Sequence, residues 1–415
     1  MRRDAIKNTT DDNPNLIEVT EKLHPIYRIL ADVSFFVFLF FAFFGTSMPF
    51  QARNYDVQQI GSSNLINQVV YTLLFLLAAI SVLPKLKQLI ELIKKEQFLS
   101  LFLFWCTLSI VWSNYSFIAL KRLFQFYTVV IICLSVLLHH DSLVAIMKHF
   151  KILLSIYLVL TLIAVLTIPG ASDPTSYSWR GLTPSKNLLG QSALISILIW
   201  FNSIKQGNLP NKLISIFMLI ISLILLFGSL SMTSISVFFI IVCLAILFKT
   251  ERSLFYKLGI GNSYSAMVLI AVGFTFFVTY YTAPEVLTAL PESFGKDATF
   301  TGRTELWSDI FQEVKNQFIL GHGFNSFWGI NNPNLYYLYQ KYIWLPNQAH
   351  NGYLDILIDV GIIGLLLFIG LIIKYFINFR RLNKPHFWIW FFIAGLVINL
   401  QETTLFSPKH PSGIM

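Results

Sequence analysis

From Ala31 to Leu405 the chain returns repeatedly to apolar runs of about 20 residues, the length that fits the hydrocarbon core of a bilayer. Eleven such runs occur, at roughly 29–48, 65–83, 98–112, 117–138, 150–169, 188–204, 213–229, 233–249, 263–281, 351–375 and 386–406, with ends good to about 2 to 4 residues. Composition agrees. Only 12% of residues are charged and 55% are hydrophobic, whereas a soluble domain carries about 25% charged residues. The expected fold is an all-α polytopic membrane protein without a soluble domain. The first 25 residues are polar, and the first apolar run is long enough to remain as a span, so no cleavable signal is expected.

Basic residues decide the orientation. The N-terminal segment and alternate loops collect 20 of the 30 Lys and Arg residues, which places the N-terminus in the cytoplasm. That divides the chain into a cytoplasmic segment (1–28), nine helices (29–281), an outer loop (282–350) and C-terminal transmembrane helices (351–415). The net charge of +9 calls for no nucleic acid, because anionic lipids of the inner leaflet account for clusters such as KLKQLIELIKKEQ. Cys106, Cys133 and Cys243 each fall inside an apolar run, which suits core packing rather than disulfides or a metal knuckle.

The informative charges are the basic minority on the outer side, among them Arg53, Lys121, Arg122, Arg180, Lys186 and Arg303. A structureless loop of about 70 residues would be unusual, and this one contains helical periodicity. In TFTGRTELWSDIFQEVKNQF, Leu306, Ile310, Phe311, Val314 and Phe318 recur at helical spacing, Thr301 is placed to cap the start, and Gly321 to Gly323 stop the helix. Arg303 in the first turn combines a guanidinium with free backbone N–H groups, a good anion site. Arg180 in SWRGLTPSKNLLGQ is followed by Lys186 and a new helix start. Arg grips phosphate bidentately and Lys acts as a point charge, although both could equally snorkel to lipid head groups.

Where the outer loop gives way to the tenth span, QAHNGYLDILIDVG places His350 and Asn351 at the membrane boundary. A histidine at a helix start is more often a hydrogen-bonded cap than a catalyst. Histidine nevertheless changes charge near neutral pH, and two arginine-bearing outer segments are available to this one, so a general base is the functional reading. His322 in GHGFNSFW is a weaker candidate, suited to bonding backbone. Asp355 and Asp359 lie four residues apart on the His350 helix, and an intramembrane carboxylate at Asp359 is a functional hypothesis by default. Glu402, in NLQETTLF, could pair with an arginine or face solvent. GIIGLLLFIG permits close helix packing. The sequence has no GxxxxGK[ST] loop, HExxH, Asp-x-Asp pair or GxSxG elbow, so ATP-driven and metal-dependent chemistry lose support and no metal or cofactor is expected.

Taken in order, RGLTPSKNLLG, DATFTGRTELW, LGHGFNSFW, AHNGYLDILIDVGIIGLLLF and NLQETTLF resemble the bacterial O-antigen ligase and O-antigen polymerase superfamily, including its exopolysaccharide polymerases. The resemblance runs from Trp179 to Phe406, and its specific part is the His350 run with the preceding Thr-Gly-Arg. It implies a GT-C-like helical glycosyltransferase of the bacterial inner membrane, with about 11–12 transmembrane helices and a large helical periplasmic loop. It further implies transfer of a glycan from undecaprenyl diphosphate to a hydroxyl of a growing glycan or of lipid A-core on the periplasmic face. By motif, Arg180 and Arg303 match the family arginines that grip the diphosphate, with Lys186 beside them. His350 matches the histidine that activates the acceptor, with Asn351, Asp355, Glu402 and His322 as possible support. Ligase and polymerase differ only in acceptor, and the motifs leave that open. The rival from another class is a transporter or flippase of polyprenyl-linked glycans, which internal repeats or helices broken at midplane would favour; neither is visible in the sequence.

Overall fold

The computed structural model describes residues 25–44, 65–140, 143–173, 177–183, 185–206, 209–258, 303–328, 332–342, 346–380 and 387–404. The expected ninth span, the Thr301 cap and Arg53 lie outside them. Among the described residues thirteen α-helices occur in order: α1 (Pro25–Phe44), α2 (Leu65–Val82), α3 (Leu86–Lys95), α4 (Gln97–Leu108), α5 (Ser116–His139), α6 (Leu143–Thr167) and α7 (Lys186–Gln206), then α8 (Leu209–Gly228), α9 (Met232–Leu258), α10 (Arg303–Asn316), α11 (Tyr336–Lys341), α12 (Gly352–Arg380) and α13 (Phe387–Ile398). Among the described residues there is no strand, only one isolated bridge between Ser172 and Trp179. Among the described residues seven helices are long and apolar enough to cross a membrane, and three more are apolar but shorter. The protein is an all-α polytopic membrane protein, as its apolar periodicity predicts.

Among the described residues apolar packing forms three clusters. The largest joins α1, α2 and α5 to α6, α7, α8, α9 and α13 through residues such as Tyr157, Leu189, Leu194 and Leu225. Phe102 and Cys106 of α4 pack against Leu123 and Phe126 of α5 and against Ile356, Val360 and Phe368 of α12. A smaller core lies under the connecting segment, where Leu306, Ile310 and Val314 of α10 meet Phe327, Trp328, Leu338, Leu354 and Ile358. Three of the residues that predicted α10 thus form its buried face, while Phe311 and Phe318 stay exposed and the helix ends at Asn316.

One feature departs from the expected continuous tenth span. α12 is broken at Gly361, whose φ of 68° and ψ of −173° no helix contains. The segment after α10 folds back into the break: His322 N–H donates to Ile358 C=O at 2.9 Å, Gly323 N–H to Asp359 C=O at 2.8 Å, and Ile362 N–H to Phe318 C=O at 2.9 Å. Trp105 of α4 adds its indole N–H on Val360 C=O at 2.8 Å. Every one of these groups would otherwise be costly away from water. Glycine is required here for space as well as conformation, since a Cβ at Gly361 would lie 2.1 Å from Ile319 O. Further along the same run, Gly364 and Gly370 lie against Trp105 and Phe98, the close packing that the sequence suggested.

The break changes the meaning of the acidic pair. Residues 362–380 alone rise roughly 28 Å, close to a bilayer core of about 30 Å. Asp355 and Asp359 sit on the other side of the break, buried beneath the folded-back segment. Protein, rather than lipid, covers them.

Candidate active site

The turn that carries His350 is pinned at every residue. Asn351 is the N-cap of α12, its Oδ1 accepting from Tyr353 N–H at 3.1 Å and Leu354 N–H at 3.2 Å. Its part in the site is therefore structural. Ala349 gives its N–H to the Asp355 carboxylate at 3.1 Å and takes the Trp307 indole N–H on its C=O at 2.8 Å. Gly352 N–H donates to Asn399 C=O at 2.8 Å, so close that a Cβ there would collide with the Asn399 side chain. Between these anchors His350 adopts φ 52°, a left-handed conformation that costs a non-glycine residue about 1–3 kcal/mol and persists only where its surroundings enforce it.

That strain delivers the imidazole to Glu402. The chain just past α13 closes with Glu402 N–H on Ile398 C=O at 2.9 Å, which turns the carboxylate back toward α12. His350 Nδ1 lies 3.0 Å from Glu402 Oε2. The other oxygen, Oε1, accepts from an Arg303 terminal nitrogen at 2.7 Å and from Asn187 Nδ2 at 2.7 Å. Arg303 also donates to Gln401 C=O. Four chain segments, far apart in sequence, meet at one carboxylate.

The electrostatics are set by these partners. Glu402 is 7% exposed at its side chain, and burial alone would push its carboxyl up; His350 and Arg303 outweigh that and hold it below the ordinary carboxylate value. An ionised carboxylate only accepts, so the ring proton of neutral His350 belongs on Nδ1 and the lone pair on Nε2, and the Gln348 amide, 3.2 Å from the same Nδ1, must then turn its oxygen to the ring. The imidazole is 21% exposed and the Arg303 side chain 16%, so both remain reachable while the carboxylate between them is sealed. A lone pair on a half-buried histidine backed by a carboxylate is suited to taking a proton from a hydroxyl.

The remaining candidates fall into place individually. Arg180 is half-buried in an ordered turn, with Nε on Gly170 C=O at 3.0 Å and its backbone N–H on Ala171 C=O at 2.9 Å. These contacts tie it to its own turn rather than to Glu402. Lys186 is the first residue of α7, half-buried, and next to Asn187, so α7's first turn is the link between the Arg180 segment and the carboxylate. His322 is buried; burial lowers its pKa, Nε2 lies 3.3 Å from Glu313 C=O, and the ring packs on Phe327. It braces the segment that enters the α12 break. Asp355 collects the Trp328 indole N–H at 2.6 Å, Ala349 N–H and the Thr403 hydroxyl.

Two residues outside the sequence-based candidates matter. Asn187 lay inside RGLTPSKNLLG, a polar residue at a helix start to which the resemblance attached no role. Arg122 did give a signal, as a charge in the outer half of a span. It is 6% exposed and donates to the carbonyls of Asn325 and Trp328, so it anchors the segment that carries the Trp328–Asp355 contact.

Residues 217–369 match the O-antigen ligase family. The O-antigen ligase match extends from α8 into α12 and holds Arg303, His322, His350 and Asp355; Arg180, Lys186, Asn187 and Glu402 fall outside it. Among curated proteins, the chain is 26% identical over 129 residues to the exopolysaccharide production protein ExoQ of Rhizobium meliloti, covering 28% of this chain and 29% of that protein. It is 30% identical over 105 residues to a putative polysaccharide ligase of Rickettsia felis, covering 23% of this chain and 26% of that protein. The matched stretches span less than a third of either relative. Within the O-antigen ligase match, the resemblance drawn from the motifs holds.

Proposed function

We propose that the protein is a membrane glycosyltransferase that moves a glycan from undecaprenyl diphosphate to an acceptor hydroxyl on the periplasmic face of the inner membrane, as an O-antigen ligase or an O-antigen or exopolysaccharide polymerase. The observation that carries this reading is the single carboxylate, Glu402, held between the imidazole of His350 and the guanidinium of Arg303. Displacement at an anomeric carbon needs a base for the incoming hydroxyl and a cation for the departing diphosphate, and these side chains supply both.

His350 Nε2 takes the acceptor proton as the acceptor oxygen bonds to the anomeric carbon. The bond from that carbon to the diphosphate oxygen breaks, and the diphosphate leaves with the electron pair. Glu402 stabilises the imidazolium formed meanwhile. Arg303 has five N–H groups and engages Glu402 and Gln401 through its two terminal nitrogens, so the guanidinium retains donors for a phosphate. Arg180, in the turn before α7, and Lys186, at its first residue, are the further cations in this reading. The family match and the names of the two relatives support a polysaccharide substrate. The transporter alternative gains no comparable support: the break in α12 at Gly361 lies at one end of the 362–380 helix rather than at its middle, and moving a lipid-linked glycan needs no oriented base.

The test is a purified protein in detergent or nanodiscs, given a lipid-diphosphate glycan and an acceptor. Release of undecaprenyl diphosphate with formation of a glycosidic bond is expected. His350→Ala should lower transfer by at least about 10²-fold, the lower end of what a positioned base contributes, while leaving donor binding intact. Translocation of the donor without bond formation would favour the transporter instead.

A further inference from the structure

Asn187 stands outside the stretch that matches the family and, although it lies within RGLTPSKNLLG, the resemblance gives it no role; yet among the described residues it is one of three side chains on Glu402. Its orientation is settled by its partners. A carboxylate cannot donate, so the face of the amide toward Glu402 must be Nδ2, and Oδ1 then turns to the Ser231 hydroxyl at 3.3 Å. Ser231 is fully buried at the start of α9, and α7 approaches it through Gly190, where a Cβ would lie 2.7 Å from the Ser231 Cβ. The amide is thus built into the contact between α7 and α9, two packed helices, whereas Arg303 starts a helix in the connecting segment.

The two donors on Glu402 Oε1 differ in what else can attract them. A diphosphate competes for the guanidinium, which is charged and partly exposed. It has little hold on a neutral amide already engaged at both ends. We propose that Asn187 is the positioning residue that keeps Glu402 aimed at His350 while Arg303 exchanges from Glu402 to the diphosphate of the donor lipid. In the resting site Arg303 and Asn187 share Oε1. When the diphosphate binds, Arg303 turns to it, and Asn187 alone prevents the buried carboxylate from being left with the histidine as its one polar partner. The inference rests on the function proposed above for its diphosphate ligand.

The experiment reads Glu402 directly, independently of turnover. Among the described residues, the charged and titratable groups facing Glu402 are Arg303 from α10 and His350 from the α12 turn; α7 and α9 present the neutral Asn187 and Ser231. The protonated-carboxyl band of Glu402, identified by its loss in Glu402→Gln, is tracked against pH by infrared difference spectroscopy, with and without undecaprenyl diphosphate as probe. In the wild type the probe should leave Glu402 ionised at neutral pH. In Asn187→Leu its titration should move upward, and further upward with the probe. Ser231→Ala, which keeps the donor but loosens it, should move the same way by less, and it serves if Asn187→Leu does not fold. In the transfer assay kcat should fall about tenfold or more in Asn187→Leu with KM little changed. A Glu402 titration indifferent to both substitutions overturns the inference, whatever the assay shows. A wild type that does not transfer glycan, but whose Glu402 titration responds as described, leaves the positioning role standing and removes the proposed reaction.

Discussion

Glu402 and Asp355 are both buried carboxylates near the start of α12, and they are used in opposite ways. Around Glu402 the partners are Arg303, His350 and Asn187, side chains that come from separate segments and include two cations or potential cations. Around Asp355 they are an indole N–H, a backbone N–H and a hydroxyl, all neutral. Asp355 holds Ala349, the residue before His350, and Thr403, the residue after Glu402, so it fixes the frame in which the other carboxylate operates. A carboxylate surrounded by groups that titrate or bind anions is placed for chemistry. One surrounded by neutral donors is placed for shape.

The same substitution therefore has different consequences at the two sites, and the largest is expected at Glu402. In Glu402→Gln, Oε1 can still accept from Arg303 and Asn187, but the amide nitrogen then faces His350 Nδ1. That favours the tautomer with its proton on Nε2, where the base is needed, and transfer should drop by about 10²-fold or more in a protein that folds normally. At Asp355 the corresponding amide can accept from Trp328 and Ala349 and donate to the Thr403 hydroxyl, so Asp355→Asn should keep transfer within about threefold. Equal loss in both variants would erase the distinction. Asp355→Ala is different again. It leaves several buried donors unsatisfied at about 1–3 kcal/mol each, and should show as a lowered melting temperature.

Acid should separate the two sites next. The Glu402 carboxyl is held below its ordinary range in the fold, so the stability it contributes is complete above that range and is lost as pH falls through the folded value. Catalysis needs the same ionised form. Arg303→Gln removes one of the charges that hold it down, so the acid loss of both transfer and stability should begin at higher pH than in the wild type. An unchanged acid limb would mean that Arg303 is electrostatically irrelevant to Glu402. The smallest effect belongs to Thr403→Val, which removes a single hydrogen bond to Asp355 and should lower stability by about 1 kcal/mol with transfer nearly intact.

Seen from the sequence, these two carboxylates are barely distinguishable. Glu402 lies at the end of an apolar run, free to pair with an arginine or to face water. Asp355 and Asp359 are an acidic pair on an expected continuous span. What separates them is which distant groups reach them, Trp328 and Thr403 for Asp355 against Arg303, His350 and Asn187 for Glu402, contacts that have no local signature. Arg122 is a charge without a reason until the carbonyls of Asn325 and Trp328 supply one. Asn187 sits in RGLTPSKNLLG without a role of its own, because an amide at a helix start is ordinary.

Periodicity and local chemistry were enough for the sequence by itself to determine the helical membrane class, α10 with its buried Leu306, Ile310 and Val314, the helix start at Asn351, and the histidine beside it. These depend on residues within a turn or two of one another, where spacing alone carries the information. Only the tertiary structure decided that His350, Arg303 and Asn187 share one carboxylate, that Asp355 is held by neutral donors in a supporting frame, and that α12 is two helices joined at a glycine. Those outcomes depend on which distant polar groups satisfy one another away from water, and that choice is made by the packing of the whole chain.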